Sequence, residues 1–168
     1  NRKPKVLVLG ALGRCGTGAC DFYEDVGLPT ENIQKWDLEE TKKGGPFPEL
    51  LDVDILLNGI YVQKPIPPFL TKKMIHDAKE RQLSVFVDVS CEMSERNPFP
   101  INNAITTFKE PSRRYIYNDD ATKPLDVIAI DHLPSLIPKE SSESFAALLL
   151  PTLLALKDTN LEPVELSQ

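Results

Sequence analysis

Short apolar runs alternate with amphipathic stretches along this chain. Val6-Leu7-Val8-Leu9, closed by Gly10, suits a strand buried on both faces. Apolar residues then recur at Cys15, Ala19, Phe22, Tyr23 and Val26, which is helical spacing, and Gly27 is a natural stop. Asn32–Asp37 predicts a second strand ending in an acid, and Val53–Ile60 a third, with a helical turn at Glu49–Asp52 between them. Gly44-Gly45-Pro46-Phe47-Pro48 is a turn, and Lys64–Phe69 is a rigid, extended loop. Leu70–Gln82 predicts a helix with Met74, Ile75 and Ala78 on its apolar face. Leu83–Ser90 is a fourth strand, followed by a long loop over 91–103. Ala104–Phe108 and Arg114–Tyr117 suit short strands, and Leu125–Ile130 a stronger one. Residues 139–157 form a closing helix, with Phe145, Leu148, Leu149, Leu153 and Leu156 at helical intervals. Pro151 inside it should free the Ala147 carbonyl and bend the axis. The alternation predicts an α/β fold: a doubly wound, mainly parallel sheet with helices on both faces.

Four of the eight glycines crowd into Gly10–Gly18, between the first strand and the first helix. Gly10 permits a tight exit from the strand. Gly13 and Gly16 carry no Cβ, so a diphosphate could approach the backbone and the amino end of the helix. The spacing is Gly-x-x-Gly-x-x-Gly rather than Gly-x-Gly-x-x-Gly, and a packing turn without a ligand would look the same. Asp37 strengthens the nucleotide reading. It falls about 20 residues beyond the turn, where a Rossmann unit places the carboxylate that binds an adenosine ribose. Such a carboxylate repels a 2′-phosphate and favours NAD over NADP, while Arg14 in the turn is the counter-argument. The plain alternative for Asp37 is a strand-end cap. Gly10–Gly16, Asp37, Asn58–Tyr61, Asp88–Ser90 and Ile130–Leu133 all fall at carboxyl ends of predicted strands, so one sheet edge gathers the unusual residues.

With 168 residues the natural count is one domain, read as a dinucleotide-binding unit over 1–157 with a polar tail over 158–168. A net charge of −6 argues against a nucleic-acid partner, and no apolar run is long enough to span a bilayer. The opening residues carry no secretory signal. Three cysteines, Cys15, Cys20 and Cys91, and two histidines, His76 and His132, match no metal-ligand spacing, and a reduced, cytoplasmic setting is expected. Cys15, at a helix amino end, is either a reactive thiol or a small residue packed beneath the phosphates.

Gly10-Ala-Leu-Gly-Arg-Cys-Gly16, Lys35-Trp36-Asp37, Gly44-Gly45-Pro46-Phe47, Lys64–Phe69, Val87–Ser90 and Ile130–Leu136, taken in order, resemble fungal saccharopine dehydrogenase of the NAD-dependent, lysine-forming type. The resemblance implies the last step of lysine biosynthesis through α-aminoadipate, in which saccharopine, water and NAD⁺ give lysine, 2-oxoglutarate and NADH. It implies a two-domain enzyme whose acid–base lysine and histidine lie in the other domain, so no catalytic residue is assigned in this chain. It implies cofactor contacts at Gly13 and Arg14 on the diphosphate, where the glycine turn by itself also places Gly10 and Cys15, and at Asp37 and Thr41 beside the adenosine ribose. Tyr61 and Val89 would line the adenine and nicotinamide-ribose path, and Ile130, Asp131, His132 and Leu133 the nicotinamide end. In this reading Asp131 and His132 position the cofactor; the alternative is direct proton transfer. Some members carry a cysteine where this chain has Gly59, able to pair with the one matching Cys15, and that disulfide cannot form here. The expected partners are a small-molecule substrate and the missing domain, with no membrane, in a monomer that is cytoplasmic, or peroxisomal in a longer protein. Two other readings are another NAD(P)-dependent amino- or keto-acid dehydrogenase of alanine-dehydrogenase type, and a non-catalytic dinucleotide sensor.

Overall fold

The computed structural model describes residues 2–78, 80–115 and 123–158, in two units divided between Asp131 and His132. The first unit is built on a six-stranded sheet: β1 (Val6–Leu9), β2 (Ile33–Trp36), β3 (Ile55–Asn58), β4 (Val85–Asp88), β5 (Arg113–Tyr115) and β6 (Leu125–Ile128). The order is β2-β1-β3-β4-β6-β5, parallel except for the antiparallel edge strand β5. The fold is therefore an α/β, Rossmann-like, mainly parallel sheet, as the alternation of patterns predicts.

All four β1 side chains are fully buried, because the strand is central and both its faces are covered. Val6 and Val8 point into one core with Ala11, Cys20, Ile33 and Leu57. Leu7 and Leu9 point into the other, with Leu56 and Phe86. Helix α1 (Arg14–Asp25) covers the first face. The buried stripe is Gly16 and Cys20, flanked by partly buried Ala19 and Tyr23, whereas Phe22 and Val26 are 59% and 62% exposed. The apolar face is thus rotated from the one predicted. The cause is Gly16: a Cβ there would overlap the Gly10 carbonyl oxygen, so the helix lies against the turn along its side-chain-free line.

The second face is covered largely by loops. Trp36, Phe47, Phe69, Phe99 and Phe86 form a chain of ring contacts with centroids 4.8–5.9 Å apart. Gly45 lets the Gly44–Pro48 turn reach this layer, since a Cβ there would strike the Pro68 carbonyl. Helix α3 (Lys72–Asp77) adds Ile75 and is shorter than the predicted Leu70–Gln82. Thr71 caps it, and Ala78 leaves the helical region at ψ 92°. The Gln82 and Leu83 N–H groups donate to Leu51 O, which turns the chain into β4.

The predicted strand at Ala104–Phe108 reduces to one parallel bridge, Thr106 to Ile130. Of the predicted Arg114–Tyr117 strand, residues 116 and 117 lie outside the described set. The second unit holds α4 (Pro138–Ala155), which continues through Pro151 and has no buried residue. Residues 159–168 of the expected polar tail are also outside the described set.

Gly16→Ala is expected to destabilise the fold by about 3 kcal/mol, the upper range for overpacking, because backbone must move on one side of the contact. Chemical denaturation would measure it. Gly18→Ala, where a Cβ meets nothing within 4 Å, should be neutral or slightly stabilising and serves as the control.

Candidate functional site at the carboxyl edge

Strands β2 and β3 lie on opposite sides of β1, so chain order reverses there and a crevice opens beyond the strand ends. Gly10 leaves β1 with φ +77°, and a Cβ on it would meet Gly59 O at 3.0 Å. The Gly10 and Ala11 N–H groups both donate to Trp36 O, at 2.9 and 3.1 Å, which ties the turn to the end of β2. Gly13 N–H donates to Gly10 O at 3.0 Å, and Gly13 then opens α1 without any side-chain cap. A Cβ on Gly13 would meet only Gly10 O, at 3.3 Å. The first-turn amides of a twelve-residue helix thus face a cradle free of side chains, the chemistry that receives an anion. Exposed Arg14 and Cys15 stand beside it.

A cavity of about 400 Å³ lies on the β2 side of the turn, lined by Ala11, Leu12, Trp36, Asp37, Leu38 and Glu40 among others. Leu12 and Leu38 are 81% and 79% exposed. The Asp37 carboxylate accepts from Leu12 N–H at 3.0 Å on Oδ2 and from Leu38 N–H at 2.9 Å on Oδ1. Asp37 therefore caps α2 (Leu38–Thr41), the plain alternative raised above, and also latches the glycine turn. Thr41 Oγ1 donates to Asp37 O at 2.9 Å, so its hydroxyl proton is committed to the backbone. On the β3 side, a second cavity of about 210 Å³ brings together Cys15, Gly59, Tyr61, Val89, Ser90 and Glu92. Cys15 is exposed on this side of the turn. A Cβ on Gly59 would stand 3.8 Å from the Cys15 Cβ, the usual Cβ separation across a disulfide.

Asn58 and Asp88 lie at the carboxyl ends of β3 and β4, as expected, but their side chains turn inward. Both are buried and bonded to the protein: Asn58 Nδ2 donates to Asp88 Oδ1 at 2.9 Å, and Asn102 Nδ2 to Asp88 Oδ2 at 2.7 Å. Asn97 Nδ2 donates to Asn102 O at 2.9 Å. The network pins the 91–103 loop over the ends of β3 and β4. Ser90 Oγ donates to Ile60 O in the same region. Asn102 had no sequence signal beyond its place in a loop, because its partner comes from a different strand. Leu12 was likewise unmarked, because it reaches Asp37 from another segment, whereas Glu40 stands at the Asp-x-x-Glu spacing of a capping box.

Ile130 is buried at the end of β6, beside Thr106, and Asp131 is exposed. His132 and Leu133 fall in the second unit, where His132 O accepts from Ser135 N–H at 2.9 Å and Leu133 opens a 3-10 turn. Among the described residues no cluster of histidine, cysteine or acidic side chains could hold a metal ion. No helix among them is long and apolar enough to cross a membrane.

A parallel sheet with its reversal at β1, an uncapped helix above it and a cavity on each side defines the class of open Rossmann-like α/β domains. One solved structure with this architecture, named L-alanine dehydrogenase, superposes with a TM-score of 0.62 at 15% identity, covering 95% of this chain and 45% of that one. No family model matches the chain. Its sequence is 50% identical over 165 residues to a Schizosaccharomyces pombe protein named saccharopine dehydrogenase (NAD(+), L-lysine-forming), covering 98% of this chain and 44% of that protein. Proteins of the same name from Candida glabrata and Candida albicans are 50% and 49% identical, covering 97% and 96% of this chain. The resemblance read from the motifs thus extends over nearly the whole chain, which spans under half the length of each of these relatives.

The three thiols should separate on alkylation near pH 8. Cys15 is exposed. Cys20 is buried, and burial raises its pKa. Cys91 is pushed up to about 11, first by burial and then by Asp88 and Asp131. Mass spectrometry after iodoacetamide should find Cys15 labelled first. Cys91 labelling should accelerate only as the pH approaches about 11. The folded state favours the neutral Cys91 thiol. Its contribution to stability is therefore complete below the ordinary value of 9.0 and is lost as pH rises through about 11.

Proposed function

We propose that this chain is the NAD-binding part of a saccharopine dehydrogenase that oxidatively cleaves saccharopine to L-lysine and 2-oxoglutarate. The observation that carries the reading is the pair of cavities on either side of a glycine turn whose helix amides are uncapped. A dinucleotide has the matching form: two nucleoside halves joined by a diphosphate.

The diphosphate would rest on the α1 amides over Gly13, with Gly10 holding the turn open and Arg14 supplying charge. The adenosine half would enter the β2-side cavity. There the base packs between Leu12 and Leu38, whose exposure is otherwise unexplained. Asp37 retains acceptor capacity for a ribose hydroxyl beyond its backbone bonds, and Thr41 stands one turn away. The nicotinamide half would lie toward Cys15, Tyr61 and Val89. Ile130 and Asp131, at the carboxyl end of β6 in the same unit, would complete that end. Bound NAD⁺ supplies the hydride acceptor. The residues of this chain bind and orient it, while proton transfer and substrate recognition fall to the remainder of the longer protein. Alone, the chain binds the dinucleotide and turns over little substrate. The same reading takes the protein as monomeric and cytoplasmic.

Trp36 is the single tryptophan and lines the β2-side cavity, so its emission reports on that cavity directly. NADH should quench it saturably and at lower concentration than NADPH, because Asp37 and its acidic neighbours repel a 2′-phosphate. Asp37→Ala should weaken NADH binding by about 1–3 kcal/mol. Equal response to the two cofactors, or an unchanged dissociation constant in Asp37→Ala, rejects the ribose assignment.

A further inference from the structure

Resting on the ribose reading of Asp37, we infer that Glu40 is a positioning residue for that carboxylate and thereby sets the preference for a cofactor without a 2′-phosphate. Helix α2 has only four residues, too few to hold its own shape through internal bonds. Reciprocal capping holds it instead. The Asp37 side chain accepts from the first-turn amides, and Glu40 Oε2 reaches back to accept the Asp37 N–H at 2.7 Å. Asp37 O accepts from Thr41 N at 3.2 Å and from its hydroxyl. With Leu12 N–H on Oδ2, Asp37 is tethered at its amide, its carbonyl and both carboxylate oxygens.

Glu40 supplies the only one of these tethers that comes from a carboxylate, and it lines the same cavity. Without it the Asp37 N–H loses its partner and the Asp37 peptide is freer to turn. The carboxylate then samples positions from which it no longer meets a ribose hydroxyl. The effect requires an acceptor at the Glu40 tip rather than a charge, and glutamine retains that acceptor. A cofactor with a phosphate on the ribose takes no hydrogen bond from the carboxylate and is repelled by it, so its binding does not weaken when Asp37 loses its orientation.

The test is a Trp36 fluorescence titration of the full chain with NADH and NADPH, for Glu40→Ala, Glu40→Gln, Asp37→Ala and the Asp37→Ala/Glu40→Ala double variant. Glu40→Ala should raise the NADH dissociation constant about fivefold, within the range of a lost cap, and leave that for NADPH no higher than in the parent, since a repelling charge is removed with the tether. Glu40→Gln should restore NADH binding to within about twofold of the parent. Once Asp37 is alanine, adding Glu40→Ala should change nothing further. Three results overturn the inference: equal losses for both cofactors, failure of glutamine to rescue, or a Glu40→Ala effect that persists in the Asp37→Ala background, as general loosening of the fold would give. If Asp37→Ala alone leaves NADH binding intact, the ribose reading fails and this inference with it. A loss in Asp37→Ala with none in Glu40→Ala overturns only the role of Glu40.

Discussion

The architecture of the first unit depends on the contact between the Gly10 carbonyl and the face of α1 at Gly16. No side chain fits between them. That closeness seats α1 directly on the turn and presents its first amides at the crevice. It also rotates the helix so that Cys20 enters the core while Phe22 and Val26 remain outside. A helix held farther away by a Cβ would lose both the packing and the amide cradle. The amide cradle and the packing share one steric constraint here.

From that contact the site spreads through backbone bonds. Trp36 O receives two N–H groups from the turn, and Asp37 receives a third from Leu12. The ends of β1 and β2 are thereby locked to each other, and the proposed dinucleotide would meet a turn already ordered. On the other side, Asp88 draws two buried asparagine amides into its carboxylate and closes the ends of β3 and β4 beneath the 91–103 loop. Polar residues at this sheet edge thus divide into two kinds. Some face the crevice, and others are consumed in shaping it.

Much of this was legible in linear order. The strand cores β1 to β4, the helix after the glycines and the long 91–103 loop follow from hydrophobic period and from glycine and proline placement. Less legible was how each residue is employed. Asp88 and Asn58 sit at the expected edge yet bond inward, because Asn102 arrives from a loop fourteen residues beyond Asp88. Gly16 follows the spacing of a phosphate-approach glycine, but its neighbour is the protein's own carbonyl. The α3 helix is cut short because Gln82 and Leu83 are drawn to Leu51, a partner outside any local window.

The sequence by itself determined the alternation of strands and helices, the place of the tight turn and the resemblance to saccharopine dehydrogenases. Each of these is encoded by neighbours a few residues apart, where side-chain periodicity and backbone freedom act directly. Only the tertiary structure decided which face of α1 is buried, which polar groups point into the crevice and which seal it. It also decided that Leu12 reaches Asp37 from the glycine turn, twenty-five residues away. Those outcomes depend on pairings between distant segments, where steric fit and the need to satisfy buried hydrogen-bonding groups select one arrangement that no local pattern specifies.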